Sequence, residues 1–438
     1  MTNIMNRAHT GLLAIALFLT LAPTVPASTW YVNGIGGNNA NACKSPTTAC
    51  KTIGHAISLA VAGDVINVAA ATYNENLTIG FSLTVIGSGA PTTIVDGGEA
   101  STVFTISTTA KVNLSGLTIR HGRAHLGGGL YNNGVLTINN SIINGNGADS
   151  SCSGATFCDS SGGGIYNDGA LTINNSTIGP NQAFVQCQYQ CATEGGGILS
   201  EGGTVVINNS TISGNSAFTS CSPRGFCHSD GGGIFVANGT ATISKSTISG
   251  NSANESGGVD NRGMLTISNS TVSENNANFR GNVSGGGISN SGVLAINNST
   301  ISGNSAHGSL GSFGGGIYNS NGTATLQNSI VANSTSGGNC YGTMKSNGYN
   351  LSSDGSCNFN HAGDLNNHDP LLGPLQNNGG STETMALLPG SPAIDAGNPT
   401  GCTDGQGHLL KTDQRGMPRP DREDSVGCDM GAYERQSD

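Results

Sequence analysis

Charge is the scarcest commodity in this sequence. Charged residues make up 10% of the 438, with 16 Lys plus Arg against 26 Asp plus Glu. Half of the acids, 13 of 26, lie after Ser353, so the central stretch is nearly neutral. No basic face of the kind that nucleic acid demands can be assembled from it. Aromatics are 5%, with a single Trp. Strong helix formers are thin as well: Gly alone accounts for 69 positions, and Asn, Ser and Thr crowd the remainder. That composition excludes long helices. Low charge also marks disordered chains, but here the apolar positions are periodic, which excludes disorder. The one long apolar run, Gly11 to Ala22, is short of the ~20 residues a membrane span needs. Arg7 precedes it and Val25-Pro26-Ala27 follows. Residues 1–27 therefore read as a secretory signal peptide, cleaved near Ser28.

What is present is a repeat. Gly162-Gly-Gly-Ile-Tyr-Asn-Asp-Gly-Ala-Leu-Thr-Ile-Asn-Asn-Ser-Thr-Ile178 recurs with drift over residues 127–331. The last glycine of each copy falls at 129, 164, 197, 233, 258, 287 and 316, so the spacings are 35, 33, 36, 25, 29 and 29. A constant unit with loops of changing length produces such spacings. The loops fall between the Asn-Ser-Ala end of one unit and the glycines of the next. Aligned copies give apolar columns. One holds Leu136, Leu171, Val205, Ala241, Leu265, Leu294 and Ala324; another, two residues on, runs from Ile138 to Leu326; two more begin at Leu130 and Ile143. Alternation at period two is a strand with one buried face. Three short strands per unit, stacked like on like, describe an all-β, single-stranded parallel β-helix of about ten coils. Polar columns of Asn140, Ser141 and Asn146 and their counterparts mark the corners, where Asn tolerates the left-handed conformation and its amide can bridge coils.

The flanks differ. Residues 28–76 read as an N-terminal cap: Ile53, Ala56, Ile57, Ala60 and Val61 fall on one face at helical spacing, giving a short helix to plug an open end. The β-helix then occupies 77–335. Residues 336–438 read as last coils and a loop-rich C-terminal cap. Twelve cysteines fall in couples adjacent along the chain. After a signal peptide these imply six local disulfides: Cys43–Cys50, Cys152–Cys158, Cys187–Cys191, Cys221–Cys227, Cys340–Cys357 and Cys402–Cys428. His228 beside Cys227 is the single Cys/His adjacency, so no zinc site and no other metal is expected.

The Gly-Gly-Gly-Ile-Tyr-Asn … Leu-Thr-Ile-Asn-Asn-Ser-Thr-Ile unit resembles that of bacterial right-handed parallel β-helix proteins of the pectin-lyase-like fold. Asp369-Pro-Leu-Leu-Gly-Pro-Leu-Gln-Asn-Asn-Gly-Gly380, Asp413-Gln-Arg-Gly416 and Gly427-Cys-Asp-Met-Gly-Ala-Tyr-Glu434 resemble the closing region of the choice-of-anchor Q group of secreted proteins. Together they cover roughly residues 28–434, and they imply a right-handed coil and an extracellular or cell-surface location.

Many proteins of that fold cleave acidic polysaccharides, and the resemblance implies what such chemistry would need: acids in one column on neighbouring coils, with Ca²⁺ and a basic residue for a lyase. Asp168 and Glu201 share a column, followed by Ala237 and Arg262. Asp168, Glu201 and Arg262 are the best catalytic candidates. Asp149, Asp159, Glu194 and Asp230 fall in the variable loops, and no column of three acids emerges. Arg120, His121, Arg123 and His125 form a second polar knot, read as a solvated turn or an anion site. The outward Thr-x-Asn pattern, Thr137/Asn139 and Thr172/Asn174 among others, offers hydroxyls and amides to a glycan, or to ice, or simply keeps a sheet soluble. The expectation is a secreted, non-catalytic scaffold. It would be monomeric, without a cofactor, adhesive toward glycans or surface proteins and without nucleic acid as a partner. A polysaccharide lyase or hydrolase is the alternative, with Ca²⁺ only in the lyase case.

Overall fold

A computed structural model describes residues 26–436, except 153–156, 188–189, 222–225, 405 and 422–426. The signal peptide expected at 1–27 lies almost wholly outside these residues. The chain winds as a right-handed parallel β-helix. Four sheets run along its axis: sheet 1 and sheet 2 with twelve strands each, sheet 3 with ten and sheet 4 with seven. A three-stranded side ladder accompanies them. One coil shows the path: Leu130–Asn132 in sheet 3, Val135–Asn139 in sheet 1, Ile142–Asn144 in sheet 2, Gly147–Cys152 in sheet 4 and Cys158–Ser161 in the ladder. The next coil then begins at Ile165–Asn167. All pairings between successive coils are parallel and in register; Leu136 faces Leu171, which faces Val205. At the usual spacing of parallel strands, twelve coils make a rod on the order of 50 Å long.

The apolar columns all point inward. Leu136, Ile138, Ile143 and Leu130 are fully buried, as are their counterparts along the rod, in one continuous core. No single coil could bury these residues; each coil covers its neighbour. A second, smaller core of Cys158, Val185, Cys187, Cys191 and Cys227 fills the lobe between sheet 4 and the ladder. The segments read as variable loops are thus strands in their own right. Cys152, Cys187 and Cys221 stack in one register, and Cys158, Cys191 and Cys227 in another. Five of the six expected disulfides are seen. In the sixth, Cys227 is disulfide-bonded while the Cys221 side chain lies outside the described residues.

The glycine triplets form the waist between the two lobes. A Cβ on Gly196 would lie 2.3 Å from the Ser216 carbonyl oxygen and 2.5 Å from that of Gly232. Only a residue without a side chain lets the backbones approach this closely. The first glycine of each triplet turns the chain with a positive φ, 66° at Gly162, 63° at Gly195 and 61° at Gly231. Beside the waist runs the Asn146 column, a buried amide ladder in which each Nδ2 donates to the next Oδ1 at 2.9–3.0 Å. The Ser141 column forms a second ladder through backbone N–H to Oγ bonds. The Asn140 column follows the expectation in part. Its members hold the left-handed φ near 50°, and Asn328 Nδ2 donates to Asn298 Oδ1 at 2.9 Å, but Asn140, Asn175 and Asn209 make no ladder among the described residues.

The ends are built differently. At the N-terminus, helix α1, Ile53–Leu59, is capped by the Thr52 hydroxyl and by the Glu75 carboxylate, which accepts from the N–H groups of Ile53 and Gly54 at 2.8 and 2.7 Å. Its Ile53 and Ala56 are buried on the first coil. At the other end, residues 369–436 run back along the flank of the rod as a strap. The strap engages the left-handed corners of four coils. Lys245 Nζ donates to Thr412 Oγ1 at 2.9 Å, and Asn269, Asn298 and Asn328 donate to the carbonyls of Thr412, Thr403 and Asp429. Gln414, buried, bonds Thr247, Thr271 and Thr382. Arg419 and Glu434 form a fully buried ion pair at 2.7 Å, and Arg415 pairs with Asp413 while lying 3.6 Å from the centre of the Tyr433 ring. The Asp-Gln-Arg-Gly and Gly-Ala-Tyr-Glu motifs meet here as a clasp.

Two outcomes are expected. Gly196→Ala should lower stability by about 3 kcal/mol or more, since the waist cannot admit a methyl group, whereas Gly36→Ala, whose Cβ would find its nearest neighbour at 3.7 Å, should be near neutral; denaturant titration of both decides. Arg419→Met strands the Glu434 carboxyl and should cost about 3–5 kcal/mol. Hydrogen exchange in that variant should rise first in 369–436, ahead of the coils.

Candidate functional site

The strongest concentration of charge sits where the ladder turns into sheet 3. Glu194 closes one ladder strand and Asp230 the next, and the two are in register, with Ser161 on the preceding coil. Each is followed by a glycine triplet, so the chain bends sharply into sheet 3. The outward column of sheet 3 therefore lies in the angle of this bend. That column reads Tyr131, Tyr166, Leu199, Phe235, Asp260 and Ser289 on successive coils. Leu199 and Phe235 are buried although they point away from the main core. Acidic side chains and one arginine cover them.

Arg262 is the hub. Its Nη2 donates to Asp230 at 2.7 Å, its Nε lies 3.3 Å from Asp260 Oδ1, and the guanidinium sits 4.6 Å above the centre of the Phe235 ring. Ser256 Oγ donates to the other oxygen of Asp260 at 2.8 Å. Glu255 faces His228 at 3.6 Å. One guanidinium is thus shared by two buried carboxylates, with half-buried Glu194 and Glu255 close by. Burial pushes Asp230 well above the ordinary carboxylate range, and Asp260 and Glu255 push it further, against the pull of Arg262. Burial likewise raises Asp260, Glu194 and Glu255. Desolvation, with Glu201 next, pushes the Tyr166 hydroxyl up to about 12. Tyr131 and Tyr166 stack with ring centres 4.9 Å apart and planes 3° from parallel, which sets their hydroxyl edges side by side. Burying this many like-charged groups around one cation costs stability unless some stay protonated. Raised carboxyls gathered around one guanidinium make this cluster the candidate site.

Asp168 and Glu201 do occupy adjacent coils of one column, and both are exposed. The expected grouping with Arg262 does not form, because Arg262 turns across the strand to Asp260 and Asp230. The loop assignment of Glu194 and Asp230 is corrected: they share a ladder column, two acids after Ser161, and approach Asp260 from the neighbouring sheet. One sequence signal marks them. Each is the residue immediately before a glycine triplet, a column visible only when copies are aligned backward from the glycines. The carboxylates do not suit a calcium cradle. Arg262 takes an oxygen of Asp230 and one of Asp260, and Ser256 takes the other oxygen of Asp260, where a cation would need free lone pairs. Among the described residues, the two cysteine-rich groups with metal-like spacing, Cys43/Cys50/His55 and Cys187/Cys191/Cys227, have their sulfurs in disulfides.

The other candidates resolve differently. Asp96 pairs with Arg120 at 2.8 Å and with His121 at 3.0 Å. Arg123 meets Asp149, and His125 contacts Ser150 and Asp159. The polar knot is thus internally matched and offers no spare cation set for an anion. On sheet 1, Asn139, Asn174 and Asn208 form an outer amide ladder that starts at Asn113 and ends at Ser244. The amides of Asn139 and Asn174 are committed to it, while the hydroxyls of Thr137 and Thr172 remain half-exposed.

No family model matches the chain, and no curated protein matches it in sequence. Solved structures do match. The structure titled as XylC in complex with xylose aligns at a TM-score of 0.50 and 10% identity, covering 92% of this chain and 98% of that one. Pectate lyase Pel9A aligns at 0.49 and 15% identity over 93% of this chain and 96% of that one. At these identities the likeness concerns the fold alone, and the match to XylC agrees with the parallel sheets of the coils in making this chain a right-handed parallel β-helix.

Proposed function

We propose that this chain is a secreted β-helix that binds a polysaccharide along the angle between the ladder and sheet 3. One observation carries the reading: seven of the eleven acids in residues 77–335, Asp159, Asp168, Glu194, Glu201, Asp230, Glu255 and Asp260, gather with two stacked tyrosines in one strip. Hydroxyl and carboxyl groups recur there once per coil, at about 4.8 Å, close to the length of one sugar ring. The excess of acid favours a neutral or amino-sugar polymer over a uronate, which the strip would repel. The disulfides and the signal-like N-terminus agree with an extracellular setting.

A second reading is glycoside hydrolysis, favoured by the raised carboxyl of Glu194. A carboxyl that burial raises above the ordinary carboxylate range suits the task of protonating a leaving oxygen, with the exposed side chain of Glu201 or Asp168 as its partner.

Affinity electrophoresis on neutral, amino-sugar and uronate polymers tests the first reading. Retention by a neutral or amino-sugar polymer is expected, weakened roughly tenfold by Tyr166→Ala; retention by none of them would sink it. Reducing-end release from the retained polymer tests the second. If it occurs, Glu194→Gln should slow it by roughly 100-fold or more while retention persists. The same raised carboxyls predict a pH dependence. Asp230, Asp260, Glu194 and Glu255 hold protons in the folded chain at pH values where the unfolded chain has released them. Their contribution is therefore favourable in acid and is lost as pH rises from the ordinary carboxylate range toward their raised values. Thermal melts should show Glu194→Gln more stable than the parent at pH 7 and equal to it at pH 3.5.

A further inference from the structure

Where the strap crosses sheet 1 it leaves a cleft of about 390 Å³. Thr242, Ser244, Thr266, Ser268 and Ala295 form its floor, three coils deep, and Asp404, Gln406 and Leu410 of the strap form its wall. Lys245 and Asn269 close the corner between them. This volume falls within the range of small-molecule sites.

The hydrogen-bonding state of the lining decides what it can hold. Its charged groups are already engaged. Lys245 Nζ donates to Thr412 at 2.9 Å. Asp404 accepts from the N–H groups of Gln406 and His408 and faces the His408 ring at 3.0 Å. Against desolvation, which would raise it, these donors together hold its carboxyl below the ordinary range. Asn269 is engaged at both ends, to Thr412 and Arg419. The hydroxyls of Thr242, Thr266 and Ser268 and the Gln406 amide are different: among the described residues they make no hydrogen bond. Ala295 and Leu410 add two apolar surfaces on opposite sides. Neutral hydroxyl and amide groups facing across a gap, with apolar carbon beside them, suit a polyhydroxylated ring with C–H faces. They do not suit an anion, which would find no free cation, nor an extended aliphatic chain, which would strand four polar groups.

We propose that this cleft binds a neutral saccharide of one or two rings, at a site separate from the acidic strip. Sheet 1 supplies hydroxyls at the coil spacing and the strap supplies the closing wall. The site exists only with the strap docked, so it belongs to the C-terminal half of the rod. It is independent of the polysaccharide reading above, because the two sites lie on different sheets and share no residue.

Titration of the intact mature chain with glucose, xylose, cellobiose, xylobiose and glucuronate, followed by calorimetry and by protein-observed NMR, tests this. A neutral sugar is expected to bind with a millimolar Kd. Thr266→Trp, which fills the floor from an outward strand position, should weaken it by roughly tenfold or more, and Gln406→Ala by a few fold. Glu194→Gln should leave it unchanged, which separates this site from the acidic strip. The proposal is overturned if no neutral sugar binds, if glucuronate binds more tightly than glucose, or if Gln406→Ala and every folded Thr266 variant bind as the parent does.

Discussion

Everything in this molecule depends on backbones that approach one another without side chains between them. The glycine waist joins two lobes of unequal size into one coil, and it does so by contact distances that a single methyl group would violate. Once the waist is closed, the rest follows. The inward columns face their own kind, the Asn146 amides fall into line beside the third glycine, and the ladder strands emerge pointing back toward sheet 3. A wider waist would separate the lobes and open the angle that gathers Glu194, Asp230 and Asp260. The most featureless residue type in the chain thus determines where its most polar cluster lies.

Much of the fold was legible because stacking repeats its demands. Leu136, Leu171 and Val205 answer the same requirement on three coils, so a column of seven apolar residues is a stronger signal than any one strand. Caps were harder to read. The strap has no period, and its docking depends on Gln414 meeting Thr247 and Thr271 from a distance of well over a hundred residues along the chain. The Asn140 column was visible as a column but not as a docking rail, since nothing local distinguishes an asparagine that bridges coils from one that faces outward. The disulfide couples, by contrast, could be read from proximity alone.

The candidate site shows the limit most sharply. Alignment forward from the repeat start placed Glu194 and Asp230 in segments of variable length, where columns dissolve. Structurally the segments that carry Glu194 and Asp230 are strands in fixed register near the glycines. Asp260 falls in the sequence column of Tyr166 and Ser289, which holds no other acid. Its significance is tertiary: it lies where another sheet delivers two more carboxyls and where Arg262 departs from its own column to meet them. Burying such a group runs against folding, and the cost is spread over a core that extends the length of the rod. A long, regular scaffold can carry one ill-matched corner that a small domain could not.

The strap has a further consequence for how such a rod can change over generations. It is pinned to the corners at Lys245, Asn269, Asn298 and Asn328, and the first of these fixes how far back it reaches. Among the described residues, the strap's hydrogen bonds to the coils begin at Lys245 and Thr247, and none reaches the coils before them. Duplication or loss of a whole unit there would lengthen or shorten the rod while leaving the clasp in register. Between the four pinned corners the same event would pull every later contact out of step. The architecture therefore has a variable half and a fixed half, and the carboxyls of the acidic strip lie across the seam between them.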